Sequence, residues 1–141
     1  MHITIDATNL IAGRIGSHVA KQALLGHTID IFNAEKAIVT GNKNSVEEHY
    51  WLRKRDLGQP QTGPFVSKMP DRFLRRMFRG MVPHKHPRGK TAYGRIMCYI
   101  GVPTQFKNVK PITLPHADLS RLKTTKYITI GALCKTLGWK E

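Results

Sequence analysis

The sequence predicts an α/β layered fold in a single domain over residues 1–141, with a mainly parallel sheet. Three observations favour this class. Short β-branched segments alternate with a helical pattern in the first third of the chain, and strands joined by a helix are usually parallel. The chain has 141 residues, enough for a hydrophobic core without disulfides or a metal. Of these, 40% are hydrophobic, a fraction typical of folded proteins.

The first third of the chain supplies three strands and one helix. Residues 3–5 and 28–32 are β-branched runs of the kind that form strands, and residues 37–40 predict a third strand. Between them, residues 10–26 predict a helix, because apolar residues recur at every fourth position and Gly26 suits a left-handed cap. This order of strand, helix and strand predicts parallel neighbours in one sheet.

The first helix has two apolar edges. Ile11, Ile15 and Val19 form one of them, and Gly16 lies on a second edge of small residues that suits close packing on a sheet. Gly13 and Gly16 also resemble part of a dinucleotide-binding turn, but the three-glycine fingerprint is incomplete. We therefore interpret these glycines as packing residues.

The rest of the chain alternates helices with a turn, a loop and a long arm. Pro70 suits the first turn of a helix, and two prolines stiffen the basic stretch that follows it. Residues 70–101 therefore predict a basic helix–loop–helix region. In chain order we predict a turn at 41–44, a helix with a capping box at Ser45, a helix at 70–81, a loop at 82–90, a helix at 91–100, an extended arm at 104–125, a strand at 127–130 and a helix at 131–139.

The charge balance predicts a polyanionic partner. Lysine and arginine number 23 against 9 acidic residues, which gives a net charge of +14 and a pI near 10.3. Such an excess repels itself in a compact fold until an anion neutralises it. A membrane partner is not expected, because no apolar run approaches the roughly 20 residues of a spanning helix and the N-terminus has no signal-peptide pattern. Cys98 and Cys134 lie far apart among apolar neighbours, which predicts buried, reduced thiols in a cytoplasmic protein.

Residues 72–81 hold the most informative pattern. At about 100° per residue, Arg72, Arg75, Arg76 and Arg79 fall within an arc of roughly 120°, and apolar residues fill the other side. A solvated helix face usually mixes acids and bases at helical spacing, whereas no acid stands among these arginines. A guanidinium group bonds two phosphate oxygens at once or stacks on a base. The four arginines therefore predict contact with RNA phosphates.

Further candidate RNA-binding residues follow the arginines or lie on the preceding helix. For the cations at 53–55, stabilisation of a helix C-terminus is the simpler explanation. His84 and His86 are loop residues or RNA contacts, since no cysteine or carboxylate lies near them to complete a metal site. The complete candidate set is Arg14, Asn42, Lys43, Arg53, Lys54, Arg55, Arg72, Arg75, Arg76, Arg79, Lys85, His86, Arg88, Lys90 and Arg95.

A catalytic role has no positive support in the sequence. Ser17, His18 and the scattered acids form no recognisable nucleophile–base–acid set, so we expect no catalytic residue, no metal and no cofactor. The alternative is a free-standing RNA-binding protein or nucleotide-modifying enzyme on the same scaffold. An enzyme of that kind needs a pocket of convergent polar groups at the carboxyl ends of the strands.

Three segments of the chain match the signatures of one known family. They are Asp6-Ala7-Thr8-Asn9 leading to Ala12-Gly13-Arg14-Ile15-Gly16, Asn33-Ala34-Glu35-Lys36 through Val39-Thr40-Gly41-Asn42-Lys43, and Arg79-Gly80-Met81-Val82-Pro83 continuing to Gly94-Arg95. Taken together, in this order and over essentially the whole length, the chain resembles the universal large-subunit ribosomal protein thirteen family. The stretch at 84–91 resembles the archaeal form, because bacterial members are shorter there.

The resemblance implies a three-layer α/β/α domain around a four-stranded, mainly parallel sheet. It also implies a structural constituent of the large subunit of the cytoplasmic ribosome, which binds large-subunit (23S-type) rRNA early in assembly, beside neighbouring ribosomal proteins. No membrane and no small-molecule substrate are implied. By position, the RNA-facing residues correspond here to the turn at Gly41-Asn42-Lys43 and to the region from Arg79 to Arg95.

Overall fold

The computed structural model describes residues 1–55, 58–59, 61–63 and 65–140. Five strands and five α-helices are described in this part of the chain, and three short 3-10 helices lie between them at Ala34–Lys36, Thr104–Phe106 and Leu119–Arg121. In chain order the main elements are β1 (His2–Asp6), α1 (Ala12–Leu24), β2 (Thr28–Phe32), β3 (Ile38–Thr40), α2 (Lys43–Arg55), α3 (Pro70–Arg79), α4 (Pro87–Gly94), β4 (Ile96–Cys98), β5 (Tyr127–Thr129) and α5 (Ile130–Thr136).

Strands β1, β2 and β4 form a parallel sheet in the order β1-β2-β4. The register pairs Ile5 with Ile31 and Ile29 with Ile96, so these four side chains share one face of the sheet. All four are fully buried, and they form the core together with the apolar sides of α1, α3 and α4. The α/β class and the mainly parallel sheet are confirmed.

Strands β3 and β5 pair antiparallel and form a second sheet of two strands. The four predicted strands are all present, but the described residues contain β4 as well. The strands therefore lie in one sheet of three and one of two, where about four in a single sheet were expected.

The helix predicted at 91–100 is confirmed only over residues 91–94 and is wrong beyond them. Residues 87–94 form α4, and the chain then continues as strand β4. Ala92 and Ile96 have the helical spacing of four, but Ile96 and Cys98 also alternate with the exposed Met97, as they would in a strand. Pairing with β2 buries Ile96 and Cys98, so the contact with a distant strand decides between two periodicities that the sequence alone does not separate.

The basic segment after α3, predicted as a loop at 82–90, is a tight turn followed by a helix. Pro87 is the first residue of α4, so Arg88 lies on a helix and not on a loop. A Cβ atom at Gly89 would overlap the carbonyl group of Pro83. Glycine is therefore required for α4 to pack this closely against the turn.

Other predicted helix boundaries also differ from the structure, and α5 ends at Thr136 where a helix reaching Trp139 was predicted. Helix α2 begins at Lys43, before Ser45, so the predicted capping box does not cap it. Helix α3 ends at Arg79, where a helix reaching Met81 was predicted.

The small-residue edge of α1 packs partly against another helix. A Cβ atom at Gly16 would overlap the side chains of Phe78 in α3 and of Met81 just after it. Gly13 has no such neighbour within 4 Å, so the packing explanation is wrong for it. At Gly16 the small side chain allows α1 and α3 to approach each other, where packing on the sheet was predicted.

Within the 104–125 segment, Lys110 and Ile112 lie beside the outer edge of β1. The N–H group of Ile112 donates a hydrogen bond to the Thr4 carbonyl at 2.7 Å. On the sheet face opposite the helices, the ring of Phe106 packs 5.2 Å from that of Phe32, measured between centroids. This segment therefore covers an edge strand whose backbone groups would otherwise be open to pairing with another chain.

Candidate nucleic-acid interface

Helix α3 presents two chemically different sides. Phe73, Leu74 and Phe78 are buried, and the helix packs against α1, α5 and β4. Arg72 and Arg76 are exposed on the opposite side. The apolar side fixes the helix on the core, so part of the basic side remains in solvent, as the helical spacing predicts.

Arg75 differs from the other three arginines of α3. Its Nε–H group donates a hydrogen bond to the Ile96 carbonyl oxygen at 2.8 Å. Its guanidinium carbon also lies 4.6 Å from the centre of the Tyr93 ring. These contacts connect α3 with β4 and α4, and each type of contact stabilises a fold. Arg75 is therefore a structural residue as well as a cation, and the four arginines are not equivalent.

Arg72, Arg76 and Arg79 line one shallow depression, and we call these three residues the arginine face. Tyr93 of α4 and residues 65–67 form the rest of the lining. In the part of the chain that the structure describes, none of the three arginines has a carboxylate within ion-pair distance. Three guanidinium groups without a counter-charge repel one another until an anion binds among them.

Four predicted cationic or polar residues follow the arginine face in sequence, and all four are exposed. Lys85 and His86 lie in the turn before α4, and Arg88 and Lys90 lie on α4 itself. Tyr93 of the same helix borders the depression of the arginine face. Helix α4 therefore contributes Tyr93 to the border of the arginine face and also carries exposed cations of its own.

Three predicted site residues on other elements are tied to backbone carbonyl oxygens. Arg95 donates to Ala23, near the end of α1, at 3.3 Å. Lys54 Nζ donates to the carbonyl oxygen of Leu137, the residue that follows α5, at 2.5 Å. Cations at these positions complement the negative end of a helix dipole. Arg14 donates to a carbonyl of the 104–125 segment at 2.9 Å. All three side chains connect elements of the fold, a role that their charge alone does not reveal.

The remaining predicted residues lie on α2 and in the turn before it. Asn42, Lys43, Arg53 and Arg55 are all exposed. Lys43 Nζ lies 4.0 Å from Glu47 Oε1, at the limit of ion-pair distance, and the Lys43 side chain is 65% exposed, so the pair contributes little to stability. Arg53 lines a cavity that α2 shares with α3, which brings it together with Arg76.

This cavity, which we call the α2–α3 cavity, lies between α2, residues 65–67 and α3 and has a volume of about 460 Å³. Burial raises the pKa of the Tyr50 hydroxyl in its wall, against the opposing charge of Arg53, so the phenol is neutral at physiological pH. The sequence analysis missed Phe65 because this residue belongs to no periodic segment. The lining includes Tyr50, Arg53, Phe65, Phe73, Arg76 and Met77.

Several carboxylates elsewhere in the structure have partners of their own. Asp30 Oδ2 lies 2.7 Å from His2 Nε2. Glu35 accepts a hydrogen bond from the Gly101 N–H group at 3.1 Å. These acids satisfy local groups near the sheet, so they do not compensate the arginine face.

Cys98 and Cys134 are both buried and free of disulfide bonds. Burial raises the pKa of Cys98 and Cys134 to about 12, so both thiols stay protonated and pack as small apolar groups. Among the described residues, no three His, Cys, Asp or Glu side chains are grouped so that they could hold a metal ion. None of the described helices has both the length and the apolar character needed to cross a membrane.

Comparison with known proteins finds relatives over nearly the whole chain. The family model described as Ribosomal protein L13 matches residues 1–105. The chain is 44% identical over 138 residues to large ribosomal subunit protein uL13 of Methanopyrus kandleri, an alignment that covers 96% of this chain and 86% of that protein. It is 41% identical over 136 residues to large ribosomal subunit protein uL13 of Methanococcoides burtonii, covering 96% and 97% respectively. The resemblance found in three sequence segments is confirmed.

Proposed function

The chain belongs to the ribosomal protein L13 family, and on this premise we propose that it is a structural constituent of the large ribosomal subunit. In this role it binds large-subunit rRNA, supports early subunit assembly and contacts neighbouring ribosomal proteins. The family is named for a ribosomal protein and not for an enzyme, so the expectation of a non-catalytic protein is confirmed. The alternative of a nucleotide-modifying enzyme gains no support from the family.

The arginine face is the observation that supports RNA binding most directly. Three arginines surround one depression, and no carboxylate of the described residues pairs with them. Planar guanidinium groups bond phosphate oxygens in pairs, and an RNA backbone supplies a continuous row of phosphates. The arginine charges repel one another in the free protein, and the phosphates of bound RNA neutralise them.

The contacts of each cation support a division of roles within the predicted site. Exposed or partly exposed cations with no hydrogen bond to a carbonyl oxygen of the described residues are proposed to bind phosphate, whereas those bonded to carbonyl oxygens are proposed to position elements of the fold. The first group contains Arg53, Arg72, Arg76, Arg79, Lys85, Arg88 and Lys90. The second contains Arg14, Lys54, Arg75 and Arg95.

The test is RNA binding by the full chain at several salt concentrations. With on the order of six to ten phosphate contacts, affinity for large-subunit rRNA should fall roughly 10³- to 10⁵-fold between 50 and 200 mM salt, taking the scale of duplex DNA. The fall reflects release of counterions from the RNA, and binding is measured by filter retention or fluorescence anisotropy. Affinity that is nearly independent of salt would contradict the proposed basic interface.

A further inference from the structure

We propose that the α2–α3 cavity receives one unpaired nucleotide of an RNA strand, with its base against Phe65 and its phosphate between Arg53 and Arg76. This inference rests on the proposed RNA-binding function and names the part of the RNA that enters one particular site. Three features support it: the aromatic and apolar lining, the exposed position of Phe65, and the charge at the rim.

The interior of the cavity suits a flat, partly apolar group. The rings of Tyr50 and Phe73 meet edge to face with centroids 5.0 Å apart, and Met77 adds a polarisable side chain to the lining. A volume of about 460 Å³ lies within the range of sites that enclose small organic groups. The buried ring of Phe73 belongs to the core, so this wall is rigid before anything binds.

Phe65 is placed as a stacking platform. Its side chain is 69% exposed, an unusual position for a large apolar ring, and it lines both the α2–α3 cavity and the depression of the arginine face. A Cβ atom at Gly63, where φ is +97°, would come within 3.3 Å of the ring, so Gly63 leaves the space in which the ring lies. Proteins recognise unpaired RNA bases by stacking them on such exposed aromatic rings.

The charge at the cavity selects an anion. Arg53 on α2 and Arg76 on α3 line the cavity from its two helices, and no acidic residue is part of the described lining. Arg76 also belongs to the arginine face, so the cavity and the phosphate-binding depression share one guanidinium group. An occupant that brings both a flat ring and a negative charge, and that continues along the arginine face, is a nucleotide within an RNA strand.

The experiment compares base-containing and base-free strands. The probes are oligoadenylate, oligouridylate and an abasic ribose-phosphate strand of the same length, together with purified large-subunit rRNA. The wild-type chain should bind the base-containing strands more tightly than the abasic strand. Phe65→Ala should lower affinity for the base-containing strands and rRNA about 5- to 150-fold, the usual effect of losing one stacked base, and leave the abasic strand unaffected.

Two further variants at the same position separate stacking from general apolar contact. Phe65→Tyr keeps an aromatic ring and should keep wild-type affinity, whereas Phe65→Leu keeps apolar volume and should lose affinity as Phe65→Ala does. Tyr127→Ala removes another half-exposed aromatic ring, on β5, and serves as the matched control with unchanged affinity. The salt dependence should stay the same in all four variants, because no charge is altered. Thermal unfolding should also be unchanged for Phe65→Ala, since the ring is largely exposed.

The outcomes distinguish this inference from the proposed function. The wild type could bind rRNA with strong salt dependence while Phe65→Ala binds each probe as tightly as the wild type does. In that case the cavity does not hold a nucleotide and is open to a protein partner instead. Equal losses for Phe65→Ala on abasic and base-containing strands would likewise overturn base stacking. If the wild type does not bind rRNA at all, the proposed function itself fails.

Discussion

The carboxyl edge of the parallel sheet and the arginine face differ in whether their charged groups have partners within the fold. At the sheet edge, Asp6 Oδ1 accepts hydrogen bonds from the Thr8 N–H group at 3.0 Å, the Thr8 hydroxyl at 2.7 Å and Asn33 Nδ2 at 2.9 Å. On the arginine face, none of the three guanidinium groups has a carboxylate partner among the described residues. The charge at the sheet edge is satisfied by hydrogen bonds within the fold, and we call such a charge closed. The charge of the arginine face has no such partner, and we call it open.

The difference teaches which charged residues act within the fold and which are available to a partner. A carboxylate that accepts three hydrogen bonds fixes the ends of two strands and offers little to a ligand. A row of cations without counter-charge contributes nothing comparable to the fold, and in isolation it lowers stability through repulsion. Residue type alone does not make this distinction, because Arg75 belongs to the closed group although it lies on the same helix as the open one.

The largest expected effect comes from removing the arginine face. Replacing Arg72, Arg76 and Arg79 together by glutamine should lower rRNA affinity on the order of 10³-fold or more, because each variant side chain loses a charged hydrogen bond to phosphate worth about 1.5–3 kcal/mol. The slope of log affinity against log salt should fall by about two to three, from the loss of three phosphate contacts. Filter binding at several salt concentrations measures both quantities.

A matched control separates position from total charge. Lys107, Lys110 and Lys123 are exposed on the 104–125 segment, and their replacement by glutamine removes the same number of charges. This control should lose much less affinity than the arginine variant. Equal losses in the two triple variants would show that net charge matters and that the arginine face has no special place in binding.

The contribution of Asp6 at the sheet edge to the stability of the protein should depend on pH. Burial raises the pKa of Asp6, but hydrogen bonds from Asn33 and Thr8 outweigh it and hold the pKa below its usual value of 3.8. A carboxylate with a lowered folded pKa stabilises the protein fully above its unfolded pKa, and this stabilisation is lost as the pH falls through the folded value. Asp6→Asn should therefore destabilise the chain by about 1–2 kcal/mol at neutral pH, with a difference that narrows below about pH 4.

Denaturant unfolding from neutral to acidic pH tests this prediction, with RNA affinity measured at neutral pH. Glu48→Gln is the control, since Glu48 is an exposed carboxylate on α2 and should show no such narrowing. RNA affinity of Asp6→Asn should match the wild type. A stability difference that stays constant down to acidic pH would mean that the carboxylate charge at Asp6 is not what holds the sheet edge.

The parts of the fold that could be predicted are those in which a local pattern and the tertiary contacts agree. The β-branched run at 28–32 becomes the central strand of the parallel sheet, with four of its five residues buried. The apolar and basic sides of α3 likewise follow directly from helical spacing. In both places the same residues that predict the element also form its contact with the core.

The parts that could not be predicted depend on contacts between residues far apart in sequence. Strand β4 has two compatible periodicities, and its identity is decided by pairing with β2. Phe65 becomes part of a candidate site through its position between α2 and α3, which no local pattern encodes. The four arginines of α3 also have equal standing in the sequence, because the helical arc does not say which of its edges turns toward β4 and α4.

The smallest expected effects come from single changes at the two edges of that arc. Arg75→Gln removes the hydrogen bond to the Ile96 carbonyl and the contact with the Tyr93 ring, so it should lower the free energy of unfolding by about 1–2 kcal/mol. Its effect on the salt dependence of RNA binding should be small, because its guanidinium group is already bonded to the Ile96 carbonyl.

Arg76→Gln should do the reverse: stability should stay within about 0.5 kcal/mol, and the salt slope should fall by about one. Arg75→Lys should not restore stability, since an ammonium group lacks the planar fork that bonds the carbonyl while lying over the ring. Arg76→Lys, in contrast, should keep most of the RNA affinity because phosphate attraction needs the charge. If Arg75→Gln left stability unchanged and lowered the salt slope as much as Arg76→Gln, both residues would bind phosphate. Arg75 would then not differ in role from the three residues of the arginine face.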